Sequence, residues 1–321
     1  MILCISHTND FYTIDLVMQA IEKWGYKAVR LNTDRFDHSS QISFEKKESI
    51  TEYSFSPLSE INFTDIKAVW NRKIWRPSIP KELDDAYSSI FLQEYISMRK
   101  IYFDSIKNVV WMNAPEDDRT VADNKMYQLE IASACGLITP PTLMTNSFEK
   151  VKQFFSETCK GDMIAKLHGV LSHSMEGNGP AFPTSRIGEE DFETLSEGLH
   201  YCPMIFQPFI SKAYELRVVY VDGEIFAGKI NTNSNTTDWR QNSINEFSWE
   251  AYNLSLDIKN KISEMMKKMS LLFGVIDIIK SEEGNYVFLE INPQGEWGML
   301  QKFAGLRIAE TIAEKLIKRI K

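Results

Sequence analysis

The stretch GVIDIIKSEEGNYVFLEINP, residues 274–293, contains two apolar runs separated by the turn sequence EEGN. Branched and aromatic residues in runs of this length predict two β-strands, and the glycine between them predicts a hairpin. With the turn centred on EEGN, Asp277 lies opposite Glu290, about 5 Å away at Cβ. Asn292 follows Glu290 by two residues and points to the same face, since strand side chains alternate between faces. Three oxygen-bearing side chains are therefore expected to converge.

Two carboxylates and an amide on one face of an apolar hairpin are costly to bury unless a cation accompanies them. Mg²⁺ takes oxygen ligands, and it is typically held by one or two carboxylates together with the phosphates of a substrate. The hairpin therefore predicts a Mg²⁺ site with Asp277, Glu290 and Asn292 as ligands. The alternative is a solvent-exposed face of an edge hairpin, on which alternating polar residues have no function.

A lysine interrupts another apolar strand, in DMIAKLHG, residues 162–169. A glycine-rich segment follows Lys166 as far as residue 183, and such a loop can cover phosphates with its backbone N–H groups. The alternative for Lys166 is a charge on an edge strand that opposes aggregation.

Two arginines complete the set of candidate phosphate-binding cations. VDGE, residues 221–224, predicts a hairpin turn that places Arg217 opposite Gly228, where the missing side chain leaves room for the arginine. Glu215 lies on the same face as Arg217. Arg240, in TTDWRQN, is expected on a loop. Arginine binds phosphate oxygens bidentately and keeps its charge, which suits a site where negative charge develops.

Composition limits the class of protein. The 321 residues carry a net charge of −8, and a nucleic-acid-binding domain is usually basic. The four cysteines are scattered without metal-ligand spacing, which is typical of reduced thiols. The sequence shows neither a signal peptide nor an apolar run long enough to span a membrane. We expect a soluble cytoplasmic protein without a nucleic-acid or membrane partner.

The first third of the chain alternates strand and helix patterns. Strands at 1–6 and 27–32 flank a helix at 13–24 that ends at Gly25, which is a βαβ unit and favours a parallel sheet. Another strand is expected at 67–71. A long helix is expected at 82–106, with an apolar stripe formed by Tyr87, Ile90, Phe91, Met98, Ile101 and Tyr102. NAPEDD, from Asn113, predicts a turn at a domain boundary, and a helix at 121–135 follows.

The order of these parts resembles the ATP-grasp ligases, in which two α/β modules clasp ATP and an N-terminal domain helps to hold the substrate. The similar stretches are ADNKMYQLEIASACGLITPPTL, MIAKLHG, FQPFI and the hairpin described above. The resemblance implies an α/β fold of three domains. These are an N-terminal α/β pre-ATP-grasp domain at 1–112, a central module with a lid or hairpin at 113–202, and a C-terminal module with the Mg²⁺ site at 203–321.

The resemblance also implies a role for each candidate residue. Lys125 and Lys166 would contact nucleotide phosphates, and Gln207 with the backbone of Phe209 and Ile210 would contact adenine. Glu215 would contact the ribose or the substrate, and Arg217 and Arg240 the γ-phosphate and acyl-phosphate. Mg²⁺ would be bound by Asp277, Glu290 and Asn292.

Three stretches are most similar to the maturases of graspetides, which are ribosomal peptides of the microviridin type. They are AVWNRK, TTDWRQ and EINPQGEWGMLQKFAGLRIAETIAEKL. AVWNRK departs from the tyrosine-and-paired-arginine form of the microviridin enzymes, which indicates another branch. The resemblance implies a macrocyclase with ATP and Mg²⁺ as cofactors. It would activate Asp or Glu side chains of a precursor peptide as acyl-phosphates and join them to Ser/Thr hydroxyls or Lys amines, with release of ADP.

The same resemblance implies binding of a precursor leader and favours a homodimer. Residues 166–186 are the candidate leader contact and lid, in which AFPTSR can add a strand to the peptide. Two other functions stay open. One is an ATP-grasp carboxylate-amine ligase for amino acids or protein C-termini, similar to glutamate ligases, and the other is a non-catalytic nucleotide-binding regulator. The intact set of candidate residues argues against the regulator.

Overall fold

The computed structural model describes residues 1–47, 50–55, 65–168, 184–232 and 247–321. Within these ranges the strands form four sheets, and helices pack on them, so the α/β fold class is confirmed. No helix in the same ranges is long and apolar enough to cross a membrane.

The first third of the chain forms a parallel sheet and a separate hairpin. Its elements are β1 (Ile2–Ser6), α1 (Tyr12–Lys23), β2 (Ala28–Asn32), β3 (Ile42–Lys47), β4 (Ile50–Phe55), β5 (Ala68–Asn71), α2 (Ser88–Ser105) and β6 (Val110–Met112). The parallel sheet has the order β2-β1-β5-β6, and β3 pairs with β4. The expected βαβ unit is confirmed, because β1 and β2 are parallel and α1 joins them.

The long helix predicted at 82–106 is shorter, and its buried face differs from the predicted stripe. α2 begins at Ser88, after a single 3₁₀ turn. Tyr87, Ile90 and Ile101 are exposed, whereas Tyr102 is buried against the sheet. The prediction failed because α2 carries apolar residues on all of its sides. Their spacing in the sequence therefore does not identify the face that packs against the sheet.

The middle of the chain carries four helices and four strands in the described ranges. They are α3 (Pro115–Asp123), α4 (Lys125–Ala134), β7 (Leu143–Thr145), α5 (Phe148–Glu157), β8 (Met163–Lys166), β9 (Ser185–Ile187), α6 (Phe192–Tyr201) and β10 (Met204–Pro208). NAPEDD was predicted as a turn, but Pro115 begins α3, because proline is well suited to the first turn of a helix. The helix predicted at 121–135 is divided at Asn124, whose side chain caps α4.

The last third forms an antiparallel sheet with flanking helices. Its elements are β11 (Lys212–Val221), β12 (Glu224–Thr232), β13 (Phe247–Ala251), α7 (Leu256–Lys268), β14 (Phe273–Ser281), β15 (Tyr286–Asn292), α8 (Gly298–Ala304) and α9 (Ile308–Ile320). The strand order is β13-β12-β11-β14-β15, and the middle sheet has the order β7-β10-β8-β9.

One apolar core joins the first and last sheets. α1 and α9 pack against each other between them, and both contribute buried residues to this core. Trp70, on β5, meets Phe273, on β14, edge to face with ring centroids 4.9 Å apart. Because both rings are buried, the N-terminal sheet is fixed against the sheet that carries the predicted metal ligands.

Candidate active site

The predicted hairpin forms with the predicted register around its polar residues. Asp277 pairs with Glu290, and Val275 pairs with Asn292, so the three oxygen-bearing side chains share one face. A β-bulge follows Asp277. The Asp277 and Glu290 side chains are only 19% and 27% exposed. β15 is the edge strand of its sheet, but this face is not the solvent-exposed one of the alternative interpretation.

Each carboxylate of the pair is matched by a cation. Arg217 Nη1 lies 2.8 Å from Asp277 Oδ1, and its Nε donates to the Glu296 carbonyl at 2.8 Å. Lys125 Nζ lies 2.5 Å from Glu290 Oε2. Four candidate residues from α4, β11, β14 and β15 thus form two ion pairs on one surface.

Arg217 lies opposite Gly228, as predicted, but the reason for the glycine is different. A Cβ at Gly228 would lie 2.2 Å from Leu300 Cδ2 and 3.3 Å from Trp249 Cε3. The absent side chain therefore leaves room for α8 and β13 to pack beside Gly228. Arg217 does not need that space.

The position of Lys125 follows from the way α4 begins and packs. The Asn124 side chain accepts a hydrogen bond from the Tyr127 N–H at 2.9 Å, which caps the helix directly before the lysine. One turn along, Gln128 Oε1 accepts from the Ile291 N–H at 3.0 Å. This bond joins α4 to β15 next to Glu290, and Lys125 is held over that carboxylate.

A cleft of about 620 Å³, which includes space open to solvent, lies beside the ion pairs. Its walls include five candidate residues, namely Lys166, Gln207, Phe209, Ile210 and Glu215. Ile279 and Leu289 also line it, and they flank Asp277 and Glu290 along their strands. A cleft with apolar walls and a few convergent polar groups is the usual form of a small-molecule site.

The end of β10 and the residues that follow it line the cleft. Gln207 is buried, and its Nε2 donates to Thr142 Oγ1 at 2.9 Å. The Phe209 N–H donates to the Asp162 carbonyl at 3.0 Å. The Phe209 N–H is therefore occupied by a protein group, whereas the Gln207 amide has a second N–H and a carbonyl oxygen.

The structure describes some of the remaining candidate residues and not others. Lys166 ends β8, which lies between β10 and β9, so it is not on an edge strand of the described sheet. Glu215 is bound by Lys212. Arg240 and residues 169–183 of the candidate lid lie outside the described residues. Ser185–Ile187, at the end of that segment, pairs with β8 as β9.

The donor set of the hairpin fits Mg²⁺. No group of three or more His, Cys, Asp or Glu side chains with metal-binding geometry occurs in the described ranges. Two carboxylates and one amide oxygen nevertheless match the preference of Mg²⁺ for a few protein oxygens, with its other positions left to water and phosphate. The Asn292 Oδ1 accepts one hydrogen bond, from the Gln294 N–H at 3.0 Å, and an amide oxygen has a second lone pair.

The sequence did not identify a second group of polar residues around the NPQGE loop (residues 292–296). Arg72 Nη2 lies 2.5 Å from Glu296 Oε2, and Lys73 Nζ lies 3.0 Å from Glu296 Oε1. Burial opposes ionisation of Glu296, but the charges of Arg72 and Lys73 outweigh it and lower its pKa to about 2. The side chain of Arg72 is wholly buried and also donates to Thr13 Oγ1 and the Gln294 carbonyl.

An N-terminal parallel sheet, followed by two sheets around a cleft beside a carboxylate pair, is the arrangement of an ATP-grasp ligase. Residues 1–119 match the family described as MvdD pre-ATP grasp domain, and residues 122–316 match the RimK-like ATP-grasp domain. The chain belongs to the graspetide branch of the ATP-grasp ligases.

Solved structures agree with this assignment. The macrocyclase MdnB from Microcystis aeruginosa MRC is 36% identical, with 98% of each chain covered and a TM-score of 0.84. A RiPP-associated ATP-grasp ligase from Chryseobacterium gregarium, in complex with ADP and a leader and core peptide, is 30% identical. The match covers 99% of this chain and 96% of that one, with a TM-score of 0.86.

A more distant similarity joins the chain to an amino-acid ligase. The tetrahydromethanopterin:alpha-L-glutamate ligase of Methanocaldococcus jannaschii is 25% identical over 121 residues. The matched stretch covers 38% of this chain and 40% of that ligase, which is less than half of either protein.

Proposed function

We propose that this protein is an ATP-dependent peptide macrocyclase. The γ-phosphoryl group of ATP is transferred to an Asp or Glu side chain of a ribosomally made precursor peptide, which gives ADP and an acyl-phosphate. A Ser/Thr hydroxyl or a Lys amine of the same peptide then attacks the acyl carbon, and phosphate leaves. The product is an ω-ester or ω-amide, and the peptide loses one water for each bond.

The observation that carries this proposal is the position of the cleft beside the two ion pairs. A nucleotide whose base contacts Gln207 and the backbone of Phe209 and Ile210 would have its phosphates near Lys166 and the Asp277–Glu290 pair, since these residues line or adjoin one cleft. Phosphoryl transfer depends mainly on position and on electrostatic stabilisation, and the residues around the pair provide both.

Each candidate residue then has a role in the chain's own chemistry. Asp277, Glu290 and Asn292 would hold Mg²⁺, which supplies positive charge to the phosphates when it is bound. Lys125 and Lys166 would hold the phosphates, and Glu215 the ribose or the substrate. Arg217, with Arg240, would stabilise the charge on the γ-phosphate and the acyl-phosphate, because a guanidinium keeps its charge and offers paired donors.

The peptide substrate is supported by the relatives. MdnB is a macrocyclase, and the C. gregarium ligase was solved with ADP and with leader and core peptides. Ring closure gains from two reacting groups on one bound peptide, since their encounter is intramolecular. A homodimer remains a prediction, which light scattering after size-exclusion chromatography can test.

We also propose the division into three domains at 1–112, 113–202 and 203–321. The first boundary is supported by the sheets, because the parallel sheet ends at Met112. Near the second boundary, β10 pairs with β7 and β8 of the middle sheet, and the C-terminal antiparallel sheet begins at Lys212.

A second candidate function is a ligase that joins amino acids to a carboxylate. The similarity to the M. jannaschii glutamate ligase favours it, although only a part of either chain matches. Both functions use the same nucleotide site, so the acceptor substrate distinguishes them.

Mass spectrometry of the purified protein with ATP, Mg²⁺ and a precursor peptide encoded beside it tests the proposal. We expect ADP and a loss of about 18 Da for each bond, and cleavage by hydroxide would separate esters from amides. The Asp277→Asn variant serves as the control. In a parallel reaction to which glutamate is added, ADP release together with a gain in mass would favour the amino-acid ligase. Absence of ADP in both reactions, with every precursor from the same locus, would contradict both functions.

A further inference from the structure

The NPQGE loop contacts the proposed site at two points. Its Gln294 N–H donates to Asn292 Oδ1, and its Glu296 carbonyl accepts from Arg217 Nε at 2.8 Å. A Cβ at Gly295 would lie 2.5 Å from Val275 Cβ, so the loop packs directly on β14. The loop therefore sets the orientation of one proposed metal ligand and one proposed phosphate-binding arginine.

The Gln294 side chain is held at both ends. Its Oε1 accepts from the Ile74 N–H at 3.1 Å, three residues after the end of β5. Its Nε2 donates to Asp118 Oδ2 at 2.9 Å. Because a backbone N–H requires an acceptor, the Ile74 bond identifies the amide oxygen, and the NH₂ group must face Asp118.

Asp118 collects donors from three parts of the chain. Asn71 Nδ2 donates to its Oδ2 at 2.9 Å, and Asn113 Nδ2 donates to its Oδ1 at 2.8 Å. The Asn113 amide is also fixed, because its Oδ1 accepts from the N–H groups of Leu272 and Phe273 at 2.7 and 2.8 Å. All three side-chain partners of Asp118 are therefore donors, and the carboxylate serves only as an acceptor.

The carboxyl of Asp118 is 3% exposed. Burial raises its pKa to about 7, against the hydrogen bonds from Gln294 and Asn113, which favour the ionised form. A carboxylate buried at this cost, with three converging donors, suits the fixing of geometry, because hydrogen bonds to an ionised group are stronger than those between neutral groups.

We propose that Asp118 and Gln294 are positioning residues for the reaction, through which the N-terminal sheet fixes the orientation of Asn292 and Arg217. This inference rests on the proposed function, in which Asn292 binds Mg²⁺ and Arg217 binds phosphate. It gives the N-terminal third a part in the nucleotide site itself, in addition to any contact with the peptide.

Two variants and a matched control test the proposal. Asp118→Asn places an NH₂ group against donors, and Gln294→Met removes both side-chain bonds but keeps the backbone N–H that binds Asn292. Asp123→Asn, exposed at the end of the same helix, is the control. The probe is Mn²⁺ with ADP, followed by electron paramagnetic resonance at a pH well above the pKa of Asp118. The second readout is the Mg²⁺ concentration that gives half-maximal ADP release.

We expect both variants to weaken Mn²⁺ binding about tenfold and to raise the Mg²⁺ requirement similarly, as is typical for residues that orient metal ligands. The control should match the wild type, and precursor affinity measured by fluorescence anisotropy should not change. In the double variant Asp118→Asn/Gln294→Glu, a donor faces an acceptor again, so Mn²⁺ binding should recover in part.

Melting temperatures distinguish variants that misplace the metal ligand from variants that are unfolded. If Asp118→Asn is unfolded at the assay temperature, Gln294→Met and the double variant decide. Folded variants that bind Mn²⁺ within twofold of the wild type would overturn the inference. Failure of the proposed function has a different signature, namely wild-type protein that releases no ADP with any precursor, whatever the variants do to Mn²⁺ binding.

Discussion

The β14–β15 hairpin and the NPQGE loop adjoin each other, yet they depend on the chain in different ways. The three oxygen-bearing residues of the hairpin lie within 16 positions, and strand alternation alone brings them together. Around the loop, Arg72 bonds to groups 222 and 224 residues away. The first region forms wherever the hairpin forms, whereas the second exists only after two sheets dock. The comparison separates residues that bind from residues that hold the binding residues in place.

The largest effect is expected in the hairpin. Asp277→Asn removes a proposed Mg²⁺ ligand and the ion-pair partner of Arg217, so ADP release should fall about 10²–10³-fold, as for other losses of a charge-stabilising group. A coupled ADP assay measures it. Asp257→Asn, whose side chain is 68% exposed on α7, is the matched control. If Asp277→Asn released ADP at the wild-type rate, the hairpin would have no role in the reaction.

The next effect belongs to the docked region and concerns stability. Arg72→Met leaves Glu296 with Lys73 as its one remaining ion-pair partner in the described structure and removes the bonds to Thr13 and Gln294. Glu296 is partly exposed and keeps Lys73, so the cost comes mainly from the lost hydrogen bonds of the charged guanidinium and should be about 2–3 kcal/mol of the free energy of unfolding. Urea denaturation measures the change. A cost below about 1 kcal/mol would mean that the docked region does not depend on this arginine.

Acid should distinguish the two regions through Glu296. Its pKa of about 2, below the usual 4.5, means that the ionised form stabilises the folded state above pH 4.5. That stabilisation is lost as the pH falls from 4.5 toward 2. Glu296→Gln should therefore be less stable than wild type at neutral pH, and the difference should shrink below pH 4.5. Because the side chain is 37% exposed, solvent screening limits it to about 1–2 kcal/mol. Urea titrations at several pH values measure it, and a pH-independent difference would contradict the assignment.

The smallest effect is expected for an arginine–aspartate ion pair that is exposed to solvent. Arg186 forms a bidentate pair with Asp162, at 2.7 and 2.6 Å, but the side chains are 56% and 39% exposed. Exposed pairs contribute little, so Arg186→Met should leave the melting temperature nearly unchanged. Comparison of the stability losses in Arg186→Met and Arg72→Met tests whether burial determines how much an arginine ion pair stabilises the protein. Equal losses in the two variants would contradict that explanation.

The hairpin and its register were predictable because they depend on local patterns. Alternation fixed Asp277 against Glu290, and the Asp-Gly turn fixed Arg217 against Gly228, both as observed. Lys166 and Glu215 were singled out by strand patterns, and their roles and those of Gln207, Phe209 and Ile210 came from the family resemblance. All five residues line one cleft.

Asp118 and the buried role of Arg72 were not predictable in the same way. Asp118 belongs to the acidic run EDD in the first turn of α3, where carboxylates are common for helix-dipole reasons alone. Its function depends on partners from β5, from the residue after β6 and from the NPQGE loop, and the sequence gives no signal for that meeting. The face of α2 was predicted wrongly for the same reason, since packing between elements decides it.

The docking of the N-terminal sheet on the NPQGE loop has a practical consequence for the construction of hybrid enzymes. An exchange of the N-terminal third between relatives, joined at residue 112, would combine Arg72, Lys73 and Ile74 from one parent with Gln294 and Glu296 from the other. Such a hybrid would inherit an intact hairpin and still lose metal affinity if the two parents differ at these positions. Segments 71–74, 113–118 and 292–296 should therefore be transferred together.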